Sequence, residues 1–297
     1  MLSDRLARYC RSAAWIIQSS WSRVIERTYA PPAVLSVEQT MLEILKNKRS
    51  VSRYGDGELN LMMGRGTGFQ PFSAELSSRL REIILSEEPG LLICIPDVFA
   101  GLEKYRPETQ AAWGSHLLEN RHAWYRLVDR QRAYYNAFIS RCYYIWADKS
   151  RSAERFAMMR EIWKERDVVL VEGEKSRVGV GNDLFENARS IRRILAPAVD
   201  AFSKYGDILQ AVSTQDPKNL VLIALGPTAT VLAHDLHKLG YQAVDIGHLD
   251  IEYEWYRRNA PVKVRIDKKY VNEVPGGEKV GDMFDGRYLQ QIAQRIR

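Results

Sequence analysis

Short apolar runs alternate with amphipathic stretches along most of this chain. Val51 to Tyr54, Leu91 to Ile95, Asp167 to Glu172, Leu220 to Leu225 and Ala243 to Ile246 have strand length. They are nearly continuous, as expected of strands covered on both faces. Segments with helical spacing separate them. Ser36 caps one that runs from Val37 to Lys48. Others follow Glu58, span Ser73 to Ser86, and cover Asp183 to Leu195, Asp200 to Val212 and Thr228 to Leu239. Residues 107 to 165 read as mostly helical and are rich in Trp and Tyr. Strands alternating with helices predict an α/β fold, Rossmann-like, with a mostly parallel sheet flanked by helices.

The two ends differ from this pattern. In residues 1–35, Leu2, Leu6, Tyr9, Ala13, Ile16 and Val24 recur near helical spacing, among Arg5, Arg8, Arg11, Arg23 and Arg27. This is a basic amphipathic helix, suited either to an anionic membrane surface or to packing on the domain. Pro31-Pro32 ends it. Residues 36–275 form the main domain. Residues 276–297 read as a polar, loosely held extension.

Composition narrows the function classes. The chain has 297 residues, a net charge of +6 and three cysteines, Cys10, Cys94 and Cys142, with no C-x-x-C pair. That disfavours a disulfide framework or structural zinc and fits a reducing, cytoplasmic setting, at most peripheral to the membrane. No apolar run reaches the ~18 residues of a membrane span. The basic balance favours phosphorylated or otherwise anionic partners. No nucleic-acid-binding signature is present.

Four loops fall after strands, where open α/β sheets bind ligands. Arg53-Tyr-Gly-Asp-Gly-Glu58 places Asp56 and Glu58 two residues apart beside Gly55. Paired carboxylates suit Mg²⁺ or Mn²⁺ holding a diphosphate; the same residues also make a good turn. Arg53 could fork a phosphate. Glu172 to Asp183 offers Lys175, Arg177 and flexible glycines before a helix that Asn182 or Asp183 would cap. Gly226-Pro-Thr228 opens a helix whose free N–H groups could bind phosphate or ribose. Asp245 to Trp255 carries His248, a further candidate metal ligand, then Asp250, Glu252 and Glu254. One of these carboxylates could be a general base; all could merely favour a helix N-terminus.

With these segments in view, the chain resembles the GT-D-fold glycosyltransferases, first catalogued as a domain of unknown function. The matching blocks include Arg53 to Leu59, Ile95 to Phe99, Tyr134 to Ser140, Val171 to Arg177, Gly179 to Phe185, Ala224 to Thr230 and Asp245 to Trp255. The resemblance implies transfer of a sugar, glucose foremost, from a UDP-sugar to a glycan or glycoprotein acceptor in bacterial surface polysaccharide or adhesin glycosylation. It implies Mn²⁺ or Mg²⁺ on Asp56 and Glu58, with His248 added to the shell. Glu254 is the expected base, with Asp250 and Glu252 as rivals. Arg53, Gly55, Lys175, Arg177, Gly226 and Thr228 would line the donor. The residues alone also suit a metal-dependent nucleotide-sugar phosphohydrolase or a non-catalytic nucleotide or anionic-glycan module.

Overall fold

The computed structural model describes residues 20, 22, 24–26 and 28–297. Most of the expected N-terminal amphipathic helix lies outside the described residues. Its described end docks on the domain. The Ser22 hydroxyl donates to the Leu117 carbonyl at 2.8 Å, and Glu26 pairs with Arg121 at 3.0 Å.

The fold is a nine-stranded sheet flanked by helices. In chain order the elements are β1 (Ala33–Val34), α1 (Val37–Asn47), β2 (Ser50–Arg53), α2 (Asp56–Met62), α3 (Ala74–Ile83) and β3 (Leu91–Ile95). Then come α4 (Pro107–Leu127), β4 (Ala133–Asn136), α5 (Ser152–Trp163), β5 (Asp167–Gly173) and β6 (Ser190–Ala196). The chain ends with α6 (Tyr205–Ser213), β7 (Leu220–Ala224), α7 (Pro227–Lys238), β8 (Gln242–Asp245), α8 (Leu249–Arg257), α9 (Gly286–Gln291) and β9 (Ile292–Arg295). The spatial order is β1-β4-β3-β2-β8-β7-β5-β6-β9, and every neighbouring pair is parallel.

The continuous apolar runs now have a physical reason. Along β5, β7 and β8, successive side chains enter two separate cores. Leu170, Leu220, Leu222 and Val244 join one; Val169, Val171, Val221, Ile223 and Ala243 join the other. Period-two alternation feeding two buried faces leaves no polar position to reveal the strand. The helix α1 starts as its residues predict. The Ser36 hydroxyl accepts the Gln39 N–H at 3.1 Å, and the Gln39 side chain accepts the Ser36 N–H at 2.9 Å, a reciprocal cap.

Three expectations are corrected. The helix expected over Asp183 to Leu195 is absent; turns lead into β6, which pairs with β5 from Asp167↔Ser190 to Gly173↔Ala196. Seven residues of ladder outweigh a weak helical pattern. The largely helical stretch from 107 to 165 contains β4, whose Asn136 N–H donates to Thr40 Oγ1 of α1 at 3.0 Å. The C-terminal residues are not loosely held. Tyr288 is buried, and β9 extends the sheet beyond β6.

Chain order reverses between β2 and β8, which touch through Val51↔Val244. Such a switch point leaves a crevice at the carboxyl ends of the strands, where α/β proteins bind ligands.

Candidate active site

A cleft of about 890 Å³ opens at that switch point, lined by the ends of β2, β7 and β8 and by α4. Its volume lies within the range of small-molecule sites. At its centre Arg53 braces the walls. Its Nε donates to the Asp245 carbonyl at 2.9 Å, Nη2 to Asp245 Oδ1 at 2.7 Å, and Nη1 to Ser140 Oγ at 2.9 Å and the Ala137 carbonyl at 3.2 Å. Guanidinium has five N–H donors. Four are spent on protein, so the phosphate fork expected of Arg53 is not free. Gly247, at φ 44°, lets the chain pass against this guanidinium; a Cβ there would overlap Arg53 Nη2.

Asp56 and Glu58 sit in the first turn of α2 and both line the cleft. One Glu58 oxygen accepts the Gly55 N–H at 2.6 Å, which fixes the loop. Burial, then the neighbouring charges of Asp245 and Asp56, push the Glu58 carboxyl up to about 7. Asp56 faces solvent, and Glu58 keeps an oxygen uncommitted to Gly55. These hard donors fit Mn²⁺ or Mg²⁺. Among the described residues, no three His, Cys, Asp or Glu side chains converge as a metal cage. An ion here would draw its remaining ligands from diphosphate and water.

His248 is not gathered with that pair. It precedes α8, and its Nδ1 lies 3.4 Å from Glu273 Oε1. Burial, then the positive charges of Arg141, Arg53 and Lys263, pull its pKa down to about 4, against the opposing pull of Glu273. The imidazole is neutral at pH 7, able to accept or donate one bond. Glu273 joins Arg141 at 2.6 Å and also pairs with Lys263. Although burial works against it, these cations hold Glu273 well below the usual carboxylate range.

The three carboxylates of α8 separate by role. Glu252 is fully buried and accepts the Tyr143 and Tyr144 N–H groups at 3.0 and 2.7 Å through one oxygen. It anchors a loop and has no access to substrate, which corrects its candidacy as base. Glu254 does not line the cleft. It meets Lys269 at 3.2 Å, Asn182 at 2.7 Å and Arg258 at 3.3 Å. Despite its burial, Lys269 and Asn182 lower its pKa. Asp250 alone lines the cleft. It is held by Lys269 at 2.7 and 2.9 Å and by Asn182 at 2.7 Å.

The second loop also differs from expectation. Arg177 spends Nη1 on the Lys268 carbonyl at 2.6 Å and Nη2 on the Gly281 carbonyl at 2.8 Å. It therefore ties the C-terminal residues down and does not face the cleft. Lys175 also lies outside the lining, and no helix follows Asn182. Instead the Asn182 side chain accepts the Leu184 N–H at 3.1 Å and steadies a turn. The third loop opens α7 with Pro227 at its start, as its residues predict. Gly226 and Pro227 line the cleft; Thr228 is buried behind them, 3.3 Å from Gln70 Oε1. Gly226 adopts φ 54°, and a Cβ there would sit 2.5 Å from Phe69.

The model of the glycosyltransferase GT-D fold matches residues 51–274, which hold all of these loops. The chain belongs to the GT-D glycosyltransferase family. The probable glycosyl transferase Gly of Streptococcus gordonii is 43% identical over 265 residues, covering 89% of this chain and 39% of that protein. Glycosyltransferase GlyD of Streptococcus pneumoniae serotype 4 is 36% identical over 264 residues, covering 89% of this chain and 32% of that protein. The chain thus spans well under half the length of these curated relatives. A solved glycosyltransferase of domain of unknown function 1792 from Streptococcus sanguinis superposes with a TM-score of 0.85 at 41% identity, over 90% of this chain and 100% of that one. Another, described as that domain with a distinct glycosyltransferase fold, gives 0.87 at 37% identity, over 96% and 99%. A GT-D glycosyltransferase takes a sugar donor and an acceptor.

Several cleft residues of this GT-D chain carried no sequence signal. Lys269, outside the lining but bonded to Asp250, sits in Lys268-Lys269-Tyr270, which reads as surface. Glu273, Lys263, Trp113 and His116 lie outside the strand-end loops. Only packing brings them to the cleft. No helix among the described residues is long and apolar enough to cross a membrane.

Proposed function

We propose that this chain is a metal-dependent transferase that moves a hexose, glucose first among candidates, from a UDP-sugar to a glycan or glycoprotein acceptor. The observation that carries the reading is the placement of Asp56 and Glu58 together in the first turn of α2 on the cleft wall, where burial and then the charges of Asp245 and Asp56 raise the Glu58 carboxyl. Asp56 and Glu58 would hold Mn²⁺ or Mg²⁺, which supplies Lewis-acid stabilisation to a departing diphosphate. Arg53 keeps Asp245 and the Gly247 turn in place beside them. Gly55 and Gly226 let donor oxygens approach the backbone. Asp250 is the base of choice, because Glu252 is spent on backbone and Glu254 stands behind the wall. It would accept the acceptor hydroxyl's proton while the new C–O bond forms at the anomeric carbon. The bond to the diphosphate breaks, and UDP leaves with the electron pair. Direct displacement inverts the anomeric centre.

Thermal unfolding with UDP and a UDP-sugar panel, each with Mn²⁺ and with chelator, tests this. A ligand that binds the native state raises its stability by mass action. The expected result is a UDP-dependent rise that needs metal and is lost in Asp56→Asn. No rise with any UDP ligand would sink the donor assignment. Free sugar as the main product, with acceptors present, would favour a phosphohydrolase.

A further inference from the structure

The cleft continues past the carboxylates onto a wall made by α4. Thr109, Trp113 and His116 are four and three residues apart, so they share one helical face. All three line the cleft, as do Phe138 and Tyr144, and the Phe138 ring lies 5.8 Å from that of Trp113. The Tyr144 ring is already engaged, with Arg106 at 4.3 Å and Lys263 at 5.2 Å from its centroid. Trp113 is different. Its aromatic neighbours His116 and Phe138 meet it at steep angles, 76° and 64°. Among the described residues no ring stacks parallel on it.

His116 has a forced tautomer. The Trp124 indole N–H can only donate, and it reaches His116 Nε2 at 3.0 Å. Nε2 must accept, so the ring is neutral and its proton is on Nδ1. No acceptor among the described residues takes that proton. The cleft wall therefore offers a half-buried indole and, one turn along, a single N–H donor.

We propose that this α4 wall is the acceptor subsite and that it takes a pyranose ring. The sugar's C–H face would lie on Trp113, and a hydroxyl would accept from His116 Nδ1–H. Aromatic rings suit ligands with one apolar face and a polar rim. The inference rests on the glycosyltransferase reading, which puts the donor diphosphate at the central carboxylates. Elsewhere in the lining, Gly173, Ser176, Pro197 and Ala198 carry neither an aromatic ring nor a charge, so the α4 face with Trp113 and His116 is the one assigned to the acceptor.

Saturation-transfer NMR tests this with four probes: methyl glucoside, methyl N-acetylglucosaminide, maltose and cellobiose, each with UDP and Mn²⁺ present. The expected result is transfer to ring C–H protons of at least one probe. Trp113→Ala should weaken that binding on the order of tenfold, and Trp113→Phe should restore part of it. The UDP-dependent thermal shift should persist in both variants, which also shows that they fold. Loss of the UDP shift in Trp113→Ala, with saccharide contact kept, would make Trp113 a nucleobase platform and overturn the proposal. So would no transfer to any probe in the unaltered protein. Absence of a UDP shift in the unaltered protein would count against the donor reading alone, because saccharide contact at Trp113 is read separately.

Discussion

Lys269→Met should be among the most damaging single substitutions in this protein. Lys269 is 3% exposed, and its ammonium bridges Asp250 at 2.7 Å and Glu254 at 3.2 Å. Methionine keeps most of the stem volume, so the change removes charge and leaves little cavity. What remains is two buried carboxylates, with Asn182 as their shared donor and Arg258 at the outer edge of Glu254. Removing one partner from a buried ion pair costs about 3–5 kcal/mol, because the other charge stays desolvated. Typical total stabilities are about 5–15 kcal/mol, so this is a large fraction. Urea unfolding at pH 7, followed by tryptophan fluorescence, measures it. Adding Asp250→Asn and Glu254→Gln to Lys269→Met removes both stranded charges and should recover much of the loss. In Lys269→Met alone, the stranded carboxylates take up protons more readily than in the unfolded chain. Its deficit should therefore shrink as pH falls towards 5. A loss below about 1 kcal/mol, or a triple variant no better than the single one, would refute the reasoning.

Gly247→Ala should cost at least about 1–3 kcal/mol and lower donor affinity, because the new methyl would displace Arg53 from Asp245; thermal unfolding and UDP titration read both. Glu252→Gln replaces an acceptor of two backbone N–H groups with a half-donor amide and should cost about 1–3 kcal/mol, while protein kept folded at low temperature retains turnover. Asp235→Asn breaks a partly buried cluster in which Asp235 accepts from Arg79 at 2.6 Å and from Tyr205 at 2.5 Å. Despite burial, His234, Arg79 and Tyr205 hold Asp235 below the usual carboxylate range. Its stabilisation is thus full above the unfolded pKa and is lost as pH falls through the folded one. The gap between wild type and Asp235→Asn, about 1–3 kcal/mol at pH 7, should narrow below pH ~5; a gap that widens in acid would contradict this.

Much of the frame was legible before any coordinates. Five apolar runs became strands because a parallel sheet buries both faces and leaves few polar interruptions. Gly226-Pro227 marked a helix start, since proline there needs no donor. The strand β6 was hidden, because Arg192 and Arg193 interrupt the apolar run that would announce it. Arg193 is nonetheless buried, paired with Glu172 at 2.5 Å. A buried ion pair formed across two strands leaves no local trace. The same limit applies at the cleft. Asp56 and Glu58 stand out by their spacing, whereas the division of labour among Asp250, Glu252 and Glu254 depends on Lys269, Tyr143 and Tyr144. Those partners lie between 15 and 109 residues away.

The meeting of β2 with β8 also orders events in time. The Arg53–Asp245 pair closes a separation of 192 residues, and long separations are costly to close during folding. A nascent chain that stops short of β8 already carries the whole Asp56–Glu58 loop but has no facing wall. The cleft is therefore assembled only after β8 has been made. Until then a ribosome-bound chain displays an unpaired edge of β2 and a cluster of acidic side chains with no enclosed volume to bind a donor.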